Sequence, residues 1–180
     1  MPTLEDLSAN SIGELLDWPG GCQAGACVYW EHYEHRDNPV DQRAAMKEDW
    51  FRQVTAEFGC CGKLARVDSA VVGFVQFALS RYLPCALGYG CGPPSEDAVF
   101  ASCLHVAEVW RGRGVGRALL GAALESAREH GLAAVETYAR QGPEAYDNPS
   151  GLLEFWIKNG FRIVREEGEF ALVRKELRSQ

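Results

Sequence analysis

Residues 97–131 read DAVFASCLHVAEVW, then RGRGVG, then RALLGAALESAREHG, and three physical regimes follow one another in them. Phe100, Ser102, Leu104 and Val106 alternate with Ala101, Cys103, His105 and Ala107, and both sets are mostly apolar or small. That is the pattern of a strand covered on both faces. From Val115 the period changes: Leu119, Leu120, Ala123, Leu124 and Ala127 recur at helical spacing, and Gly131 follows as a stop. The six residues between, Arg111 to Gly116, hold three glycines. Glycine lets a backbone approach a ligand closely, and the first amides of a helix lack internal partners. With the positive end of the helix dipole and Arg111, Arg113 and Arg117 beside it, the turn suits a phosphorylated ligand.

Spacing separates the kinds of phosphate loop. A GxxxxGK[ST] loop needs Gly-Lys-Ser/Thr, which the segment lacks. A dinucleotide fingerprint needs glycine at 117 or 119, where the chain has Arg117 and Leu119. What fits is Arg/Gln-x-x-Gly-x-Gly/Ala after a valine-containing strand. In Leu104-His105-Val106, the Arg111–Gly116 loop and the helix behind it, the chain resembles the GNAT superfamily of acyl-CoA-dependent N-acyltransferases. A second block, Leu152 to Phe161 (LLEFWIKNGF), is similar to the family's helix ending in Gly-Phe.

The elements read from the remaining chain agree in order with that family. Residues 3–17 suggest short helical turns, and Ala26–Trp30 a first strand. Asn38-Pro39 looks like a helix cap and first turn, with Met46, Trp50, Val54 and Phe58 on one face. Lys63–Val67 and Val71–Leu79 form a hairpin, and residues 80–96 a long loop of the kind that is functional or mobile. Ala133–Ala139 is the next strand, 142–149 a loop, Ser150–Lys158 a helix, and Phe161–Arg165 with Phe170–Arg174 the last two strands. The expectation is an α/β fold: one domain over 1–180 with 1–24 as an N-terminal extension, and a central mixed sheet with helices on both faces.

The resemblance implies the chemistry. The fourth and fifth strands would splay around acyl-CoA, whose pantetheine arm would run along Leu104, Val106 and Ala107. Backbone amides from Arg111, Gly112, Arg113, Gly114, Val115, Gly116 and Arg117 would hold its pyrophosphate. Asn148 stands where the family often has an asparagine on the pantetheine arm. The reaction implied is direct attack of an amine on acetyl-CoA. Two departures matter. The family's fourth-strand glutamate has no counterpart, the nearest position being Ser102. The tyrosine that protonates the thiolate is replaced by Trp156, an indole that donates a hydrogen bond but moves no proton near neutral pH, and whose place in the resembled helix implies a contact with the cofactor. Candidates for the acid and base are therefore Ser102, His105, Glu108, Glu96 with its neighbour Asp97, Tyr138 and Tyr146.

A net charge of −7 on 180 residues excludes general polyanion binding. No stretch approaches a membrane span, and the first sixteen residues lack a signal peptide's pattern, so a cytoplasmic location is expected. The partners expected are an amine of a small molecule or protein, and a homodimer is allowed; neither nucleic acid nor membrane is expected. Seven cysteines argue against a disulfide framework. Cys22 and Cys27 lack a second pair at ligand spacing, so no metal is expected. A non-catalytic acyl-CoA-binding module, or a thiol or metal sensor on the same scaffold, remains as an alternative reading.

Overall fold

A computed structural model describes residues 2–18, 23–141 and 151–177. Seven strands form one sheet: β1 (Thr3–Asp6), β2 (Gly62–Val67), β3 (Ala70–Leu79), β4 (Ala98–Val106), β5 (Ala134–Arg140), β6 (Arg162–Glu167) and β7 (Phe170–Glu176), in the order β1-β2-β3-β4-β5-β7-β6. Only β4 and β5 run parallel. The helices are α1 (Ile12–Leu16), α2 (Val40–Phe58), α3 (Val115–Glu129) and α4 (Leu153–Lys158). The mixed α/β sheet expected from the sequence is the one observed.

Two adjacent residues of β3 show how the layers are divided, because neighbours on a strand point to opposite faces. A Cβ on Gly73 would stand 3.1 Å from Leu119 and 3.2 Å from Val115, so α3 lies hard against that face. Phe74 turns the other way, against the Trp18 ring at 5.3 Å, and α2 covers the same side through Trp50, Phe51 and Val54. The hairpin between β2 and β3 turns on Asp68 and Ser69, with φ of 48° and 69°, the paired left-handed residues of a two-residue turn.

Two elements differ from the reading by pattern. Ala26–Trp30 forms no strand. Ala24–Ala26 is a 3-10 turn, and the His32 amide reaches back to the Val28 carbonyl at 2.8 Å. The apolar residues are buried as expected, but the backbone is satisfied elsewhere: Arg43 donates to the Ala26 carbonyl and the Cys85 amide to that of Trp30. Burial here overrides strand propensity. Conversely, Thr3–Asp6 is a strand, not a helical turn. All four residues are exposed, and the segment is held by the β2 edge and by pairs such as Arg66–Glu5 at 2.6 Å. Asn38 does not cap α2 either. Pro39 occupies the N-cap, and the Asn38 carbonyl accepts from Arg43 Nε at 2.9 Å.

The 80–96 segment is anchored over the sheet. It holds two 3-10 turns, its Ala86 carbonyl accepts from the Tyr138 hydroxyl at 2.6 Å, and the Tyr89 ring stacks on Tyr138 at 4.4 Å.

Candidate functional site

β4 and β5 are hydrogen-bonded for three pairs only, Ala98–Ala134, Val99–Val135 and Phe100–Glu136. At the next step the Thr137 hydroxyl, not a ladder amide, donates to the Ala101 carbonyl at 2.7 Å. Beyond it the strands part while β4 stays paired with β3 as far as Gly73–Val106. The Ala107 amide donates to the Val72 carbonyl at 3.0 Å, and a Cβ on Gly73 would meet the His105 carbonyl at 2.8 Å, so 105 and 107 turn their backbone toward β3. Backbone direction alternates along a strand, so Leu104 and Val106 present theirs to the gap.

This edge leads to the glycine turn. Glu108–Trp110 is a 3-10 turn; Gly112 and Gly114 have φ of 72° and 85°, and Gly114 is the N-cap of α3 with no side chain capping it. A Cβ on either glycine would meet nothing within 4 Å. What demands glycine there is the left-handed backbone, not crowding. The gap and the turn share one cleft of about 530 Å³, lined by Leu104, His105, Val106, Trp110, Arg111, Gly112, Gly114, Gly116, Arg117, Gly151, Leu152, Phe155, Lys158 and Asn159. Three of these are cationic side chains and none is acidic, on a chain of net charge −7. Arg111 Nε donates to the Val106 carbonyl at 3.2 Å, and the Arg113 guanidinium sits 5.1 Å from the centre of the Trp110 ring. Val115, the first residue of α3, is buried, with 2% exposure.

The catalytic candidates do not gather in this cleft. Among the described candidates His105 alone lines it, with its ring stacked on Phe74 at 5.1 Å. Burial, with the Arg111 charge assisting, lowers its pKa to about 4, so the imidazole is neutral at neutral pH. A bulge between Gln76 and Phe77 makes Ser102 the extra residue of β4 and breaks the simple alternation expected there. Its hydroxyl is fully buried and bonded to Gln76, outside the cleft lining. Glu96 and Asp97 stand at the opposite end of β4, roughly 30 Å from Val106 at the usual strand rise. Asp97 is there paired with Arg174 at 2.9 and 3.0 Å, which holds its carboxyl below the usual range. Glu108 is exposed on the 3-10 turn. Tyr138 is buried in a stack with Trp30, Tyr89 and Phe100, and burial pushes its hydroxyl's pKa up. Tyr146, Asn148 and Cys22 lie outside the described residues.

Trp156 is corrected as a cofactor contact. It is fully buried against Phe155 and Phe161, and the helix turns Phe155, Lys158 and Asn159 to the cleft instead. The i, i+3, i+4 spacing of those three carried the signal. Among the described residues no group of three His, Cys, Asp or Glu side chains could hold a metal, and the six described cysteines form no disulfide. Burial raises the thiol pKa values of Cys60, Cys85 and Cys91, and that of Cys61 to about 12.

A strand edge that opens toward an uncapped, cation-flanked helix start suits an extended ligand with an anionic end. Comparison with known proteins agrees. Residues 23–168 match the model of the Acetyltransferase (GNAT) family, and the chain belongs to that family. It is 35% identical over 92 residues to L-2,4-diaminobutyric acid acetyltransferase of Nocardia farcinica (strain IFM 10152), an alignment spanning 51% of this chain and 39% of that relative. Among solved structures it is similar to PaiA N-acetyltransferase from Thermoplasma acidophilum in complex with coenzyme A. The TM-score is 0.64, with 15% identity over 98% of this chain and 99% of that one. YncA from Salmonella typhimurium, solved with its cofactor acetyl-CoA, gives 0.59 at 15% identity over 100% and 96% of the two chains. No helix among the described residues is long and apolar enough to cross a membrane.

Proposed function

We propose that the chain, as one domain, is an N-acetyltransferase that moves an acetyl group from acetyl-CoA to an amine. The observation that carries this is the cleft itself, in which a strand edge that β5 leaves open runs into an uncapped helix start with three cations and, among the described residues, no carboxylate. The residues fit the cosubstrate. The amides after Gly114 and the side chains of Arg111, Arg117 and Lys158 meet phosphate charge. Leu104 and Val106 offer backbone hydrogen bonds to an amide-bearing arm, and Trp110, Leu152 and Phe155 give apolar contact.

Acetyl-CoA supplies a thioester carbonyl. The amine nitrogen bonds to that carbon, the carbon–sulfur bond breaks, and a proton passes from nitrogen to the leaving thiolate or to water. The chain contributes alignment first. Holding the two reactants in register supplies on the order of 7–11 kcal/mol of a barrier, whereas one acid or base contributes about 10²–10⁴-fold. His105, neutral at working pH, can accept or donate a hydrogen bond without bringing positive charge against a cationic amine.

The acceptor is an amine of a small molecule or peptide. The test is thiol release from acetyl-CoA with a panel of amines, 2,4-diaminobutyrate among them, beside the melting temperature with CoA. Amine-dependent thiol release and a raised melting temperature are expected. A raised melting temperature with no release for any amine would favour an acyl-CoA-binding module, and an unchanged melting temperature would remove the cosubstrate.

A further inference from the structure

The apolar layer between β3 and α2 holds a line of four polar side chains that the proposed reaction does not use. Lys47 and Glu31 are 2% and 3% exposed, with Nζ 2.5 Å from Oε1. Gln76 Nε2 donates to the same Oε1 at 2.6 Å and to Ser102 Oγ at 3.0 Å. The Ser102 hydroxyl lies 3.3 Å from the Gln76 carbonyl, to which it donates. Glu31 Oε2 has no hydrogen-bond partner among the described residues. Desolvating two charges is costly and is repaid only by excellent geometry and full hydrogen bonding. An incompletely bonded pair is therefore a poor stabiliser of the fold, and its position suggests another role.

Ser102 is the extra residue of the β4 bulge, and the bulge comes immediately before the stretch where β4 has lost β5. From there to Val106 the strand is held in a ladder on one side only. A slip of one residue would exchange the two backbone directions and turn Leu104 and Val106 away from the gap. The side-chain line opposes that slip. Because Glu31 is a carboxylate paired with Lys47, the Gln76 amide must present its NH2 to it, and the same NH2 then fixes Ser102.

We propose that the Glu31–Gln76–Ser102 hydrogen-bond chain is a positioning device that pins the β4 bulge and so keeps the backbone of Leu104 and Val106 aimed at the acyl-CoA arm. This rests on the reading that acyl-CoA lies along that edge. Lys47 serves the device by pairing with Glu31 and holding its Oε1 in place.

The experiment compares Ser102→Ala, Ser102→Thr and, as a control for lost packing, Val54→Ala on α2, each by melting temperature and by calorimetric titration with CoA. Ser102→Ala is expected to weaken CoA binding at least about fivefold, because a displaced backbone edge loses alignment. Ser102→Thr, which keeps the hydroxyl, should stay within about twofold, and Val54→Ala should bind CoA as the wild type does despite a lower melting temperature. Equal CoA affinity in Ser102→Ala and wild type would overturn the proposal and leave the acyl-CoA reading standing. A wild type that binds no CoA would overturn both. Hydrogen exchange on the wild type needs no variant: the amides of Ser102 and Cys103 should exchange as slowly as those of β3, and exchange at surface-loop rates would overturn the device directly.

Discussion

The two ends of β4 solve opposite problems with the same backbone. At the start, Ala98 to Phe100 are laddered to β5, and the polar groups around them are paired within the protein. Arg174 bridges Asp97 and the fully buried Glu136, each at 2.9 Å, and Glu136 also accepts from the amide and hydroxyl of Ser95 at 2.7 and 2.8 Å. At the far end, Leu104 and Val106 face a gap, and the helix start beyond is uncapped. The closed end spends its hydrogen-bonding capacity on the fold, whereas the open end turns part of it toward a cleft. Charge alone does not tell them apart, since arginine stands at both; what differs, among the described residues, is whether carboxylates stand beside the cations.

The closed end should be the more fragile. Arg174→Met would leave Glu136 buried without its cation, and loss of one partner of a buried pair typically costs about 3–5 kcal/mol. Urea denaturation should show a loss of that size; a cost near zero would mean that the ladder, not the charges, closes this end.

At the open end the largest effect should come from Gly114→Val, because the N-cap φ of 85° costs a branched residue about 1–2 kcal/mol. The CoA-induced rise in melting temperature should vanish with it. Since a Cβ there meets no protein atom within 4 Å, Gly114→Asn, which tolerates that conformation, should retain more of the rise than Gly114→Val. Equal loss in both would point to blocked ligand approach instead of backbone strain.

His105 should act on pH dependence more than on rate. Its folded pKa near 4 lies below the ordinary 6.5, so between those values the unfolded chain binds the extra proton. The contribution is therefore complete above pH 6.5 and is lost as pH falls toward 4. The acid-induced drop in melting temperature across this window should be shallower in His105→Asn than in the wild type. For the same reason the rate should climb with pH toward the amine's own pKa, with no acidic limb near 6.5. His105→Ala should cost less than about tenfold, below the range for an acid or base. A thousandfold loss with CoA affinity intact would make His105 the base. Glu108→Ala, out on the turn, should change the rate least of all.

Much of this was legible in the chain. The strand, glycine turn and helix of 97–131 lie where the period changes placed them, because burial on both faces and a helical stripe each leave a signature in sequence. The parting of β4 from β5 left no such mark. It depends on Thr137 substituting a hydroxyl for an amide and on the register of Gln76 against Cys103, which are relations between distant residues. Ser102 was misplaced for that reason, since a one-residue bulge breaks the alternation that strand patterns assume. For Trp156, motif position points to the cofactor, whereas helix geometry buries its ring and turns Phe155, Lys158 and Asn159 to the cleft. The 26–30 segment shows apolar aromatic residues buried without joining a ladder.

One feature of the cleft also gives the protein an optical handle. Of its five tryptophans, Trp18, Trp30, Trp50 and Trp156 are each at most 6% exposed, while Trp110 stands in the cleft wall under the Arg113 guanidinium. A small neutral quencher in solution therefore reaches essentially one indole, and a ligand seated in the cleft shields that same indole. Occupancy can be followed from the intrinsic emission of the unlabelled protein: the quenchable fraction of the fluorescence belongs to the cleft, and the unquenched remainder serves as an internal reference from the core.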